Sequence, residues 1–395
     1  MKGSKFGPMI LATVLVLAVV LTPLSMERAV ITRHEVAKAA GSLDPHVFQG
    51  ILMQQKMLEN PHYLPIYGSS ELLRLDRYHP TNYFKVHPDG FTPFLIGRGG
   101  MYSLVHFLNM AAAGNELKNR KIVFILSPEW FTAQGLQDIH FHPNFSKEQV
   151  YHLVFYQTIS NGLREKAARR LLHFPFIRKD HNLTTLLENA AYPGHVAKPR
   201  LALATIQGYL TYKVLTLHDF IEMHRIKPGY KKHQYQKPDP RLANDSWANL
   251  KLSAKKMTER ETDTNRFHIK TSLYNKHIRG RLGKFKDYRK NEHYNQSPEY
   301  DDLQLVLDLL KQKHVQALFV SVPFNGHWYN YAGVPKTRRE VAYRKIATEI
   351  HRNGFELADF TRFDSRPFFL QDTMHIGPMG WVYIDQAIQK FYNQH

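Results

Sequence analysis

Short apolar runs alternate with stretches of helical spacing through much of the chain. The segment His62–Tyr67 is apolar and aromatic, reads as a strand, and stops at Gly68-Ser69-Ser70. Glu71, Leu72, Leu73 and Leu75 then carry the spacing of a first helical turn. Thr92–Ile96 reads as a second strand, ended by Gly97-Arg98-Gly99-Gly100, and Met101–Ala113 as the helix after it. Lys121–Leu126 is a continuous apolar run, the pattern of a strand buried on both faces. The pattern resumes with a helix at Leu303–Lys313, a strand at Val315–Val322, a helix at Thr337–Arg352 and a short strand at Leu357–Phe360. A final helix runs to about Tyr392. Five strand signals alternating with helices predict an α/β fold, a parallel sheet flanked by helices, without an internal repeat.

Two regions depart from this rhythm. Between Phe145 and Ile226 the spacing is helical, in Lys147–Ile159, Gly162–Leu172, Leu183–Ala191 and Leu201–Ile226. From Arg225 to Lys290, nineteen Lys and Arg stand against six Asp and Glu, interleaved with aromatic residues. Together they predict a helical and basic insertion over 145–298 within a domain spanning 51–395. The basic run is either a solvated face or a platform for an anionic polymer or lipid headgroups.

At the other end, Lys2 and Lys5 precede Phe6–Leu24, 19 residues almost without charge. About 20 apolar residues cross a bilayer as a helix. The expectation is an N-terminal transmembrane anchor over 1–24, the N-terminus cytoplasmic and the body outside, with a juxtamembrane connector over 25–50. The alternative, signal cleavage near Ala37-Lys38-Ala39, places the cut far beyond the apolar run, across several charged residues. Either arrangement exports the body and removes nucleic acid as a partner.

Charge and composition narrow the partners. The net charge of +19 over 395 residues calls for polyanionic surroundings, here an anionic lipid surface or an anionic polymer. The absence of cysteine excludes disulfides, thiolate metal sites and a cysteine nucleophile. His140 and His142 lack a convincing set of further ligands, so neither metal nor cofactor is expected.

The candidate chemistry sits at the strand ends. A serine at a strand–turn–helix junction, Ser69 or Ser70, is placed either to cap the helix or to attack, beside N–H groups that favour an oxyanion. Asp372 and His375, three apart and just ahead of the last helix, form a pair in which a carboxylate orients an imidazole that serves the serine as base. Gly99 and Gly100 offer backbone N–H groups without an obstructing side chain. Glu129 and Trp130 follow the Lys121–Leu126 strand, where open α/β sheets gather ligands.

Gly68-Ser69-Ser70 and Asp372-Thr373-Met374-His375, with Gly99 and Gly100 between, resemble the SGNH (GDSL-type) hydrolase arrangement. The resemblance maps the nucleophile to Ser70. Over its full length the chain more closely resembles the DltD family, the D-alanyl transfer proteins of teichoic acid modification. The shared features are the N-terminal anchor, Gly-Ser-Ser-Glu, Ser127-Pro128-Glu129-Trp130-Phe131, the basic middle, Ser-Pro-Glu-Tyr-Asp-Asp and Gln-Asp-Thr-Met-His. The likeness implies transfer of D-alanine onto lipoteichoic acid at the outer membrane face, beside a membrane-embedded D-alanyl export protein. It departs from the SGNH pattern where an oxyanion asparagine is usual and Ser-Pro-Glu-Trp stands instead. The competing readings are a cell-wall O-acyl esterase or thioesterase, with water as acceptor, and a non-catalytic scaffold that gathers teichoic acid.

Overall fold

The computed structural model describes residues 7–73, 76–226 and 237–394. The strands are β1 (Tyr63–Gly68), β2 (Thr92–Gly97), β3 (Lys121–Leu126), β4 (Gln316–Ser321) and β5 (Glu356–Asp359). They form one parallel sheet in the order β2-β1-β3-β4-β5. The longer helices, numbered in chain order, are α1 (Gly7–Leu21), α2 (Ser103–Ala113), α3 (Lys147–Phe155), α4 (Asn161–Leu171), α5 (His181–Ala191), α6 (Lys198–Met223), α7 (Trp247–Thr262), α8 (Pro298–Gln312), α9 (Lys336–Arg352) and α10 (Pro378–Asn393).

The apolar runs are continuous because both sheet faces are covered. Along β3, Ile122, Phe124 and Leu126 enter one apolar cluster and Val123 and Ile125 the other, the two-residue alternation of a pleated strand. Helices α2, α8 and α9 contribute to the first cluster, α7 and α10 to the second. Strand order reverses direction between β1 and β3. In such sheets the crossovers leave on opposite faces at that point, so a crevice opens at the carboxyl ends of the two strands.

Between β3 and β4 the chain is helical. Helix α4 packs on α5, α5 on α6, and α6 on α3, which rests on α2. Of the basic run, residues 227–236, with Lys231 and Lys232, lie outside the described residues, and α7 packs along α10.

Three expectations change. The segment 25–50, read as a connector, carries short helices, one with a Thr32/Glu35 capping box. Its Ile31, Val36, Val47 and Phe48 are buried in the first cluster, and Leu95 of β2 donates its N–H to the Ala40 carbonyl at 2.8 Å. Where a helix is expected after Ser70, the described residues form a 3-10 turn, Ser70–Leu73; Leu75 lies outside the described residues. Within the Phe6–Leu24 run the described helix stops before Leu24. Helix α1 has 15 residues, and the chain breaks at Thr22-Pro23, where proline removes a helical donor. Among the described residues no helix is long and apolar enough to cross a membrane; Lys2, Lys5 and Phe6 lie outside them.

Candidate active site

The site begins where β1 and β2 end side by side. Gly68 pairs in register with Gly97. A Cβ on Gly97 would lie 2.0 Å from the Gly68 carbonyl oxygen, and one on Gly68 would lie 2.5 Å from the Glu71 carboxylate. The Gly97 position therefore requires glycine, and a side chain at Gly68 would displace the Glu71 carboxylate. The Glu71 carboxylate accepts the Ser69 N–H at 2.6 Å, and the Ser69 hydroxyl donates to the Arg98 carbonyl at 3.3 Å. Ser69 is thereby tied into the turn, 3% exposed, while Ser70 projects beyond it.

The partner arrives from residues 305 positions away. The loop before α10 folds on itself through an antiparallel bridge between Leu370 and Ile376, and the Gln371 N–H donates to the His375 carbonyl at 2.9 Å. Inside it, the Asp372 Oδ1 accepts the N–H groups of Met374 and His375 at 2.9 and 2.8 Å, an Asx-type turn. From β4's end, Asn325 donates its amide to the Asp372 carbonyl at 3.1 Å. His375 Nδ1 lies 2.8 Å from the Asp372 Oδ2, and its Nε2 lies 2.9 Å from the Ser70 Oγ. With Nδ1–H donated to Asp372, Nε2 is left to accept the serine proton. Burial pushes the Asp372 carboxyl upward, but its hydrogen bonds with His375 and the two N–H groups outweigh that and hold it below the usual range.

Ser70 opens onto a cavity of about 310 Å³. Gly99 passes beside the serine: a Cβ built on it would lie 3.6 Å from the Ser70 Cβ. Gly100, with φ +84°, lines the same cavity. Glu129 and Trp130 do too, carried there by a 3-10 turn after β3, Pro128–Phe131. Burial pushes the Glu129 carboxyl up to about 7, against the pull of Arg289. Two wider surface hollows, about 620 and 860 Å³, adjoin β5 and the Arg362–Pro367 segment; neither is lined by a histidine.

The structure thus gathers Ser70, Asp372, His375, Gly99, Gly100, Glu129 and Trp130 at one place, with Ser69, tied into the turn, also on the cavity wall. Sequence reasoning missed Tyr102 and Arg289 and set His140 aside as a metal ligand; all three line the cavity. Tyr102 is stacked between Trp130 and His140, with ring centroids 5.4 and 5.7 Å away. Arg289 donates to the Glu292 carboxylate at 3.0 Å and lies over the rings of Tyr288 and Tyr329. Burial lowers its pKa, but Tyr329 and Glu129 outweigh that and keep it firmly charged. Nothing in the basic run separates Arg289 from its neighbours; Tyr102 follows the Gly-Gly turn, the one local signal available.

The fold and site define an α/β protein with a Ser–His–Asp constellation at the carboxyl edge of a parallel sheet. The family described as DltD protein matches residues 40–393. Protein DltD of Bacillus subtilis is 40% identical over 99% of this chain and 98% of its own length. Protein DltD of Staphylococcus aureus is 30% identical over 99% and 96%, and that of Lacticaseibacillus rhamnosus 30% over 98% and 90%. The chain belongs to the DltD family.

Proposed function

We propose that this protein transfers D-alanyl groups onto lipoteichoic acid at the outer face of the cytoplasmic membrane, by serine acyl transfer of the SGNH type. The observation that carries the chemistry is the 2.9 Å contact of Ser70 Oγ with an imidazole whose far nitrogen is held by Asp372. Family membership supports the D-alanyl substrate.

His375 Nε2 takes the Ser70 proton as the oxygen attacks the carbonyl carbon of a D-alanyl ester or thioester. The C–O bond to serine forms and the carbonyl oxygen gains the negative charge, facing the N–H groups of Ser70 and of Gly99 or Gly100. Collapse expels the donor's alcohol or thiol, which receives the proton from His375, and leaves D-alanyl-Ser70. A glycerol hydroxyl of the polymer then gives its proton to His375 and attacks the acyl carbon. Ser70 leaves and recovers the proton, and no external co-reactant is needed. Glu129, in the same cavity as Ser70, supplies the negative charge that a D-alanyl ammonium requires. Asp372 lets His375 alternate between base and acid without losing its orientation.

Lysines and arginines of the basic run hold the polyphosphate acceptor near the cavity, and the apolar N-terminal segment holds the body at the membrane, beside the membrane-embedded protein that exports the D-alanyl group. The test is the mass of a Ser70-containing peptide after incubation with a D-alanyl thioester. A gain of one alanyl group on Ser70, absent in Ser70→Ala, is expected. An unmodified Ser70 in protein that still supports D-alanylation would favour the scaffold reading. Release of free D-alanine in place of transfer to added teichoic acid would favour the esterase.

A further inference from the structure

One face of α6 is apolar and turned outward. Leu203, Ile206, Leu210, Val214 and Ile221 are 57, 62, 44, 63 and 41% exposed, and Leu217 on the same face is half-buried. Steps of three or four residues keep them in one stripe, about 27 Å long at 1.5 Å per residue. The helix has no freedom to roll this stripe inward. Its other face buries Ala204, Gly208, Tyr212, Thr216 and Met223. Leu186 and Tyr151 press so closely on Gly208 that an added Cβ would come within 2.7 and 3.1 Å of them.

Helix α1 packs against α6. The Lys213 ammonium on α6 donates to the Thr22 carbonyl just past α1, and lies 3.7 Å from Glu27. Met9, Ile10, Leu11 and Val14 of α1 are 62, 59, 60 and 54% exposed. Two adjoining helices therefore present apolar side chains to the same surroundings, an extent that monomers in water rarely expose. Lys198 and Arg200 at one end of the stripe and Arg225 toward the other are exposed, Arg200 and Arg225 being also 3.6 and 2.8 Å from Glu188 and Glu222, and they are positioned as residues that reach from an apolar interface to headgroups.

We infer that α6 lies in the plane of the membrane surface with its Leu203–Ile221 stripe sunk among the lipid acyl chains, a second membrane contact beside α1. Lipid is the occupant because α1, which packs against α6, adds exposed apolar residues and carries no charge in its 15 residues, and because cations flank the stripe in a strongly basic chain, as an amphipathic helix on anionic lipid requires. A chain held by one segment swivels about it. A second, differently directed contact fixes which way the body, and with it the Ser70 cavity, faces. This inference rests on the membrane placement proposed above.

The chain has no cysteine, so single cysteines at Ile206, Leu210 and Val214 can each carry a nitroxide spin label, with one at the exposed Thr337 of α9 as the solvent control. The full-length protein is placed in phosphatidylglycerol vesicles, and collisions with oxygen and with a water-soluble nickel chelate are compared. At 206, 210 and 214 the label should meet oxygen and escape nickel, with the reverse at 337. Ready access of nickel to the stripe would overturn the inference, as would shielding from both reagents, which would mean that protein covers it. Failure of the chain to associate with vesicles would remove the membrane placement as well; association with a nickel-accessible stripe would remove only the role of α6.

Discussion

The Glu71 carboxylate reaches back to the Ser69 backbone N–H, 2.6 Å away, and so closes a tight loop in which Ser70 is the residue left projecting. Burial pushes the Glu71 carboxyl above its usual range. Loss of this contact leaves a buried N–H without its partner, a cost of about 1–3 kcal/mol. Glu71→Ala should therefore lower the melting temperature and slow Ser70 acylation, whereas Glu71→Gln, which retains an acceptor oxygen, should recover much of both. Thermal unfolding and single-turnover acylation check this; a normal acylation rate in Glu71→Ala would show that the loop does not position Ser70.

Ser70, His375 and Asp372 should behave as one unit. Ser70→Ala and His375→Ala should each abolish transfer, and the double variant should be no worse than either, since coupled groups are not additive. Asp372→Asn keeps the loop's shape but removes the charge that orients the imidazole, and should cost about 10²–10⁴-fold. Ser69→Ala should cost modestly, because its hydroxyl makes a 3.3 Å bond to the Arg98 carbonyl and does not face the histidine. Rate measurements on these five variants decide which serine reacts.

Glu129→Gln should separate donors by their amine. With a D-alanyl thioester KM should rise about tenfold or more, while a propionyl thioester, lacking the ammonium, should react unchanged. Equal losses on both would remove the ammonium role yet leave serine acylation standing. Preference for the D-alanyl donor should grow as pH rises through about 7, where Glu129 ionises, and fade once the ammonium, at about 7.7–8.0, loses its proton.

The same shift bears on stability. Because the native pKa of Glu129 is raised, the native state holds a proton that the unfolded chain releases between 4.5 and about 7. Stability should fall as pH rises through that window, and Glu129→Gln should flatten the slope in denaturant titrations.

Arg339 is fully buried and makes two 2.7 Å bonds to Asp364, whose backbone carbonyl in turn accepts the Gly326 N–H at 2.7 Å. Removing one partner strands a buried charge. Asp364→Ala should cost about 3–5 kcal/mol in chemical denaturation, with α9 and the start of the loop after β4 losing hydrogen-exchange protection first.

Replacing the exposed Lys255 and Lys256 by Gln should weaken binding to polyglycerol phosphate, and the deficit should shrink as salt screens it. Unchanged affinity at low salt would make this part of the basic run a merely solvated face.

Periodicity alone determined the five strands and their parallel sense, since a strand covered on both faces must be apolar at every position, as Lys121–Leu126 is after its first residue. Strand ends were legible for the same reason: glycine, serine and proline interrupt an apolar run abruptly, which located Gly68-Ser69-Ser70, Gly99-Gly100 and Glu129-Trp130. Pairing Ser70 with His375 was an inference from residue type, and only the fold brings them within 2.9 Å, because strand order and the loop ahead of α10 are long-range facts. Tertiary contacts also decided what local pattern misread. The 25–50 segment is core because its apolar residues find partners on β2 and neighbouring helices. The Glu71 contact with the Ser69 N–H turns an expected helix start into one tight turn. Arg289 reaches the cavity from a run in which every basic residue looks alike, since charge is visible in a sequence but the direction of a side chain is set by what packs around it.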